Sequence, residues 1–152
     1  MGMVNTAIQW RFRHFDLFSA REWHTMLALR TSIFVVEQGC PYQEADHKDP
    51  LSWHLEGILD GQLIAGMRLV PPGVSYDEAS IGRVVVMPEY RREGLGGELM
   101  VRGIAASKAL WPGGIRISGQ GYLEDFYKTL GFVTVRGPYL EDDIPHFEML
   151  LP

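Results

Sequence analysis

The sequence predicts one α/β domain spanning residues 1–152, a mixed sheet with helices on both faces, and three observations lead there. The first half holds apolar alternation and a two-residue turn, the pattern of antiparallel strands. The second half alternates β-branched, strand-like runs with helical stretches. The length of 152 residues suffices for one core and is short for two, because domains run to about 100–150 residues.

Ile8, Trp10 and Phe12 share one face of an extended segment and predict a first strand over 8–14. Ser19, with Glu22 three residues on, forms a capping-box pattern in which each side chain satisfies an orphan backbone N–H. It opens a helix through Trp23, Met26, Leu27 and Arg30. Segments 53–59 and 63–70 read as strands joined by Asp60-Gly61, since both residues tolerate the positive φ of a type I′ turn. Pro71-Pro72-Gly73 then reads as a loop between strands. The β-branched run from Ile81 to Met87 predicts a central strand that breaks at Pro88. A helix follows over 97–110, stopped before Trp111-Pro112-Gly113-Gly114. Next come a strand over 115–118, a helix over 123–130 ended by Gly131, a strand over 132–135 and a last strand over 145–150.

Charge and composition exclude several classes of function. The net charge is −5 and the basic residues are scattered apart from Arg91-Arg92, so no broad positive face is offered to nucleic acid. No stretch approaches the ~18 apolar residues of a membrane span, which predicts a soluble protein without a membrane partner. Cys40 is the one cysteine, and no charged n-region with an apolar h-region opens the chain; both features point to a reducing cytoplasm. Beside Gly39 and Pro41, Cys40 reads as a packed or incidental thiol. Met1-Gly2-Met3-Val4-Asn5-Thr6 matches the short myristoylation pattern, but without a polybasic second signal it reads as a chance match.

Between the central strand and the following helix lies Arg91-Arg92-Glu93-Gly94-Leu95-Gly96-Gly97. The first turn of a helix carries backbone N–H groups without intrahelical partners and, with the macrodipole, favours an anion. Glycines admit the anion closely and the two arginines add donors suited to a pyrophosphate. The loop therefore reads as a phosphate cradle, although alone it also fits a plain strand-to-helix connection. A nucleotide P-loop is excluded because Gly96 is followed by Gly97, Glu98 and Leu99 instead of Lys and Ser or Thr. A dinucleotide fingerprint fits poorly, since Leu99 is large and Arg116 lies where an acidic residue belongs.

Arg91-x-x-Gly94-x-Gly96 resembles the pyrophosphate loop of the GCN5-related N-acetyltransferases (GNAT). Downstream, Gln120-Gly121-Tyr122-Leu123-Glu124-Asp125-Phe126-Tyr127 and Gly131-Phe132 resemble that family's tyrosine helix, at the family's spacing and order. The segment from Leu29 to Tyr42, Ile81-Gly82-Arg83-Val84 and Asp143-Ile144-Pro145-His146 are similar to the ElaA-type subgroup. The resemblance implies a single-domain fold with a mixed, mostly antiparallel central sheet. It also implies acetyl-CoA as cosubstrate and direct attack of an amine on the thioester, without an acyl-enzyme. Val84, Val85 and Val86 would pair with the pantetheine and polarise the thioester oxygen. Arg91, Arg92, Glu93, Gly94, Leu95 and Gly96 would hold the pyrophosphate. Gln120, where many members carry Asn, and Phe126 complete the cofactor set. Tyr127 matches the general acid: a phenol near pKa 10 protonates a thiolate, whose parent thiol lies near 8.5, in a step uphill by roughly 2 kcal/mol.

The general base is less defined. Several relatives place a glutamate at the start of the central strand, where this sequence reads Ser80-Ile81-Gly82-Arg83. Glu37, His54 and His146 are the candidates, His146 because imidazole titrates near neutrality. Arg83 sits in an apolar strand, where an unpaired charge is costly. Its expected partner is Glu37 or an acceptor carboxylate, with Arg30 and His54 as further acceptor-site residues. Asp46-His47-Lys48-Asp49 with His54 matches no standard metal spacing and reads as a solvated loop, so no metal is expected. Two readings remain: an N-acetyltransferase for a primary amine on a small molecule or peptide terminus, with longer acyl chains and a homodimer left open, or a coenzyme A-binding module without turnover.

Overall fold

The computed structural model describes residues 7–152, so the Met1–Thr6 pattern lies outside the described residues. Over the described residues the fold is a mixed α/β arrangement of antiparallel sheets and three α-helices. The chain forms two compact units, one of residues up to 68 with 83–99, the other of 69–82 with 100–152.

A four-stranded sheet takes the order β1-β2-β3-β4, from β1 (Gln9–His14), β2 (Trp53–Leu59), β3 (Gln62–Val70) and β4 (Ser80–Val86). β1 runs antiparallel to β2, with Gln9 opposite Ile58 and His14 opposite Trp53. The β2–β3 turn is the expected one, Asp60 and Gly61 taking φ of 49° and 78°. Helix α1 (Ala20–Thr31) opens on the predicted capping box: Ser19 Oγ accepts from Glu22 N–H, and the Glu22 carboxylate accepts from Ser19 N–H. Beyond Thr31 the helix widens into a π-helical stretch over Ser32–Glu37, which the sequence reading did not anticipate.

Met26, Leu29 and Ile33 from this helical run pack on Leu63 and Val85 of the sheet. Gly66 makes room for the approach, since a Cβ there would stand 2.9 Å from Met26 Sδ. Burying each such side chain contributes about 1.5–3 kcal/mol, and Met26→Ala would cost about 2–5 kcal/mol.

The second unit carries a three-stranded sheet in the order β5-β7-β6, from β5 (Ile115–Gln120), β6 (Val133–Glu141) and β7 (Ile144–Leu151). β7 is antiparallel to both neighbours. Strand β6 runs six residues past the expected 132–135 segment because it absorbs Gly137-Pro138 in register shifts between Thr134, Arg136 and Tyr139. An edge strand tolerates proline because half of its N–H groups face no neighbour. Asp142 and Asp143, with φ of 51° and 60°, make the tight turn into β7. Helix α2 covers Leu95–Leu110, and the short α3 covers Glu124–Thr129 ahead of Gly131, whose φ is 99°.

Candidate active site

β4 is the last strand of its sheet, so one side of its backbone faces no ladder. Met87 N–H donates to Ile64 O of β3 at 2.8 Å. Alternation along the strand then turns the N–H and C=O groups of Val86 and Val84 outward. Arg91 confirms the direction, its Nε donating to Val86 O at 3.1 Å. By the same alternation the Val85 backbone faces β3 and its side chain is buried in the core, which removes Val85 from the expected pantetheine set.

After β4 the chain passes Pro88-Glu89-Tyr90 and enters the glycine loop. Arg92 and Gly94 both adopt left-handed backbone, with φ of 67° and 79°. Gly94 caps α2, its carbonyl accepting from Glu98 N–H at 3.1 Å. Leu95 is buried and anchors the first turn, while Arg91, Arg92, Glu93 and Gly94 are exposed. A Cβ on Gly94 or Gly96 would meet nothing within 4 Å. The helix N-terminus is thus open in front of both glycines, and the residues present fit a bound pyrophosphate.

Glu37, at the end of the π-helical stretch, joins this loop. Its carboxylate accepts two hydrogen bonds from Arg91, at 2.5 and 2.8 Å. Those bonds hold its pKa below the ordinary carboxylate range, which makes it a poorer proton acceptor. The expected Glu37–Arg83 pair does not form, because Arg91 takes Glu37.

Arg83 instead ends a chain of alternating charges. Its Nη1 donates to Tyr42 Oη and to Glu44 Oε1, the latter at 3.2 Å. Arg30 Nε donates to the other Glu44 oxygen at 2.7 Å, and Arg30 Nη1 donates to Asp49 Oδ1 at 2.8 Å. Arg68 Nη1 is shared between Asp49 Oδ1 and Asp46 Oδ1, at 2.9 and 2.7 Å. Asp49 is therefore buried, and the Asp46–Asp49 segment is no solvated loop: its carboxylates turn inward because two buried guanidinium groups require partners. Arg30 is 1% exposed and committed to Glu44 and Asp49, so it is a structural residue and no acceptor ligand.

His54 is also internal, 0% exposed. Its Nε2–H donates to the Asp49 carbonyl at 3.1 Å, and its ring packs on Phe15, Phe18 and Trp23. Burial pushes its pKa down to about 4. Sealed in this way it reaches neither an acceptor nor a proton to abstract, which corrects both roles expected of it. Among the described residues no group of three or more His, Cys, Asp and Glu side chains could hold a metal ion.

In the second unit Tyr127 lies on α3 against Gly119 of β5, where a Cβ would come within 2.7 Å of its ring. Phe126 and Phe132 flank it, with ring centroids at 5.4 and 5.9 Å. Burial raises the pKa of the phenol, so it keeps its proton across the physiological range. Gln120, next in the strand, points to the opposite face and stands in register with His146 of β7. His146 and Tyr127 are therefore on opposite faces of this sheet. His146 Nδ1–H donates to Ile144 O at 2.7 Å, and Nε2 lies 3.2 Å from Glu141 Oε2. Ser118 also donates to Glu141 Oε2, at 3.1 Å.

The family described as the acetyltransferase (GNAT) domain matches residues 58–151. The chain belongs to the GNAT family. A Synechocystis protein of the UPF0039 group is 41% identical over 145 residues, covering 94% of each chain. The crystal structure of a Pseudomonas aeruginosa acyl-CoA N-acyltransferase superposes with a TM-score of 0.93 at 41% identity, covering 96% of this chain and all of the other. Escherichia coli ElaA gives 0.91 at 32%, over 96% of this chain and all of its own.

For this GNAT protein two residues escaped the sequence reading. Glu44 lies 14 positions from Arg30 and 39 from Arg83, a separation that no local periodicity reveals. Gly119 falls just past the expected 115–118 strand, and its role is visible only once Tyr127 is set beside it.

Proposed function

We propose that the protein transfers the acetyl group of acetyl-CoA directly to a primary amine on a small molecule or a peptide terminus. The observation that carries this reading is the open N-terminus of α2 on the loop that follows an edge strand, with Gly94 and Gly96 clear of any neighbour. Arg91, Arg92, Glu93, Gly94, Leu95 and Gly96 hold the pyrophosphate by backbone N–H groups and guanidinium donors. The outward backbone of Val84 and Val86 pairs with the pantetheine, and an N–H there donates to the thioester oxygen as charge develops. The amine nitrogen attacks the carbonyl carbon, the C–S bond breaks, and the thiolate takes the Tyr127 proton. The Tyr127 hydroxyl donates to no acceptor among the described residues, so its proton is uncommitted. Gln120 and Phe126 stay in the cofactor set.

Of the three candidate bases, Glu37 is occupied by Arg91 and His54 is sealed. His146 remains, its Nε2 held 3.2 Å from Glu141 Oε2, and the His146–Glu141 pair together is the acceptor of the amine proton. Because His146 and Tyr127 lie on opposite faces of the sheet, the amine proton reaches His146 through intervening water, while the thiolate takes its proton from Tyr127 directly. Thiol release from acetyl-CoA over an amine panel, with longer acyl-CoA thioesters in parallel, tests the reading. Tyr127→Phe lowers turnover; equal turnover removes Tyr127 from its role.

The alternative, a coenzyme A-binding module without turnover, is favoured by the absence of a carboxylate from Ser80 to Arg83. Tight acetyl-CoA binding by calorimetry, with no thiol release across the panel, would establish it instead.

A further inference from the structure

Arg83 has an unusual setting. It takes φ of 50° in the middle of β4, a left-handed conformation that is costly for a non-glycine residue and persists where the surroundings fix it. The surroundings here are explicit. The guanidinium lies 4.4 Å from the Phe34 ring centroid and 5.6 Å from that of Tyr42, which fixes its plane. Nη1 is bound to Tyr42 and Glu44, and Tyr42 Oη itself donates to Glu44 Oε1 at 2.9 Å.

Only one edge of the fork is used. Nε and Nη2 donate to no acceptor among the described residues, and unlike the Nε atoms of Arg11 and Arg68 they are not sealed from solvent. The Arg83 side chain is 28% exposed. Within the sequence of pairs Asp46–Arg68–Asp49–Arg30–Glu44–Arg83, Arg30, Arg68, Glu44 and Asp49 are each bound on both sides. Arg83 ends the run with two aligned donors free.

We infer that the free Nε–Nη2 edge of Arg83 binds the carboxylate of the acceptor, so that the acceptor is a free amino acid. Two parallel donors in one plane match a carboxylate bidentately. The run pairs three guanidinium groups with three carboxylates and is neutral, so the monoanion of a carboxylate is admitted at a lower electrostatic cost than a phosphate dianion. Arg83 also directly precedes Val84, one strand step of ~3.3 Å from the outward backbone assigned to the thioester. A short molecule carrying its amine next to its carboxylate is the acceptor that fits. The inference rests on the transferase reading for its catalytic meaning, though not for binding.

The test compares each of a panel of free L-amino acids with its own carboxamide. Acetylation by the wild type favours the best acid over its amide by about 10- to 100-fold in kcat/KM, the worth of a charge-assisted pair. Arg83→Gln brings that ratio toward one, and Arg83→Lys restores part of it. Calorimetry with coenzyme A-loaded protein reads the same contact without turnover. Amino-acid binding that is lost in Arg83→Gln, with no transfer to any amine, overturns the transferase reading and leaves the carboxylate site standing. Acids and amides used or bound equally by the wild type, or no amino acid bound at all, overturn the carboxylate site.

Discussion

Gly119 and Tyr127 are fitted to each other: a Cβ on the glycine would stand 2.7 Å from Cε2 of the tyrosine ring. A missing side chain in β5 thus sets the position of the phenol assigned to protonate the thiolate. Gly119→Ala must displace either the ring or the strand. The expected result is a fall in kcat of roughly 10- to 100-fold, the scale of a misplacement of about 1 Å, with the acetyl-CoA Kd nearly unchanged. Stopped-flow turnover and calorimetry on the same protein measure both. A variant as fast as wild type would show that the phenol's position is not critical.

The two glycines of the cradle are expected to behave differently. Gly94, at φ of 79°, is strained by any side chain and should lose stability on substitution. Gly96 lies in the first turn of α2 with open space before it. Gly96→Ala should therefore hold or raise the melting temperature, since alanine favours helix by about 0.5–1 kcal/mol. The added methyl group nevertheless occupies the volume a pyrophosphate needs. Loss of one charge-assisted hydrogen bond, about 1.5–3 kcal/mol, predicts at least about tenfold weaker acetyl-CoA binding. Undiminished affinity in this variant would place the phosphates elsewhere.

Glu37 competes with a pyrophosphate for Arg91, since both Nη groups already bind its carboxylate. Glu37→Gln removes that competition and raises the local positive potential. An exposed pair of this kind is weak and screened by solvent, so affinity for coenzyme A should rise by no more than about fivefold, with a steeper salt dependence. Calorimetry at two ionic strengths tests this. Weaker binding would instead make Glu37 the residue that aims Arg91.

What the sequence revealed follows from how local each cause is. The Ser19–Glu22 capping box and the Asp60-Gly61 turn are settled within four residues, and both were legible. The glycine loop was legible for the same reason. β6 outruns its expected end at Val135 because Gly137-Pro138, a strong local break signal, is overridden by pairing with β7 at the sheet edge. The inward turn of Asp46 and Asp49 was invisible because its causes, Arg30 and Arg68, are 19 residues or more from their Asp49 and Asp46 partners. The free edge of Arg83 was hidden equally, since it depends on Tyr42 and Glu44 taking one side of the guanidinium.

His54 gives the stability of the fold a pH dependence that can be isolated. Its pKa is about 4 in the folded protein against 6.5 when free, chiefly because burial disfavours the imidazolium. The unfolded chain therefore binds the extra proton first, and stability present near neutrality is lost as pH falls from about 6.5 toward 4. The lowered carboxylates, Glu22 among them at about 2, also lose stability in acid, but only as pH drops through the ordinary carboxylate range near 4.5. The interval from pH 7 to 5 consequently isolates the histidine. There His54 should account for about 2 kcal/mol of lost stability, because each tenfold difference in proton affinity between the folded and unfolded chain is worth about 1.4 kcal/mol. His54→Gln retains a donor for the Asp49 carbonyl and does not titrate. Urea unfolding of both proteins across that interval should give curves that converge toward pH 5, and parallel curves would show that His54 is not held neutral by its surroundings.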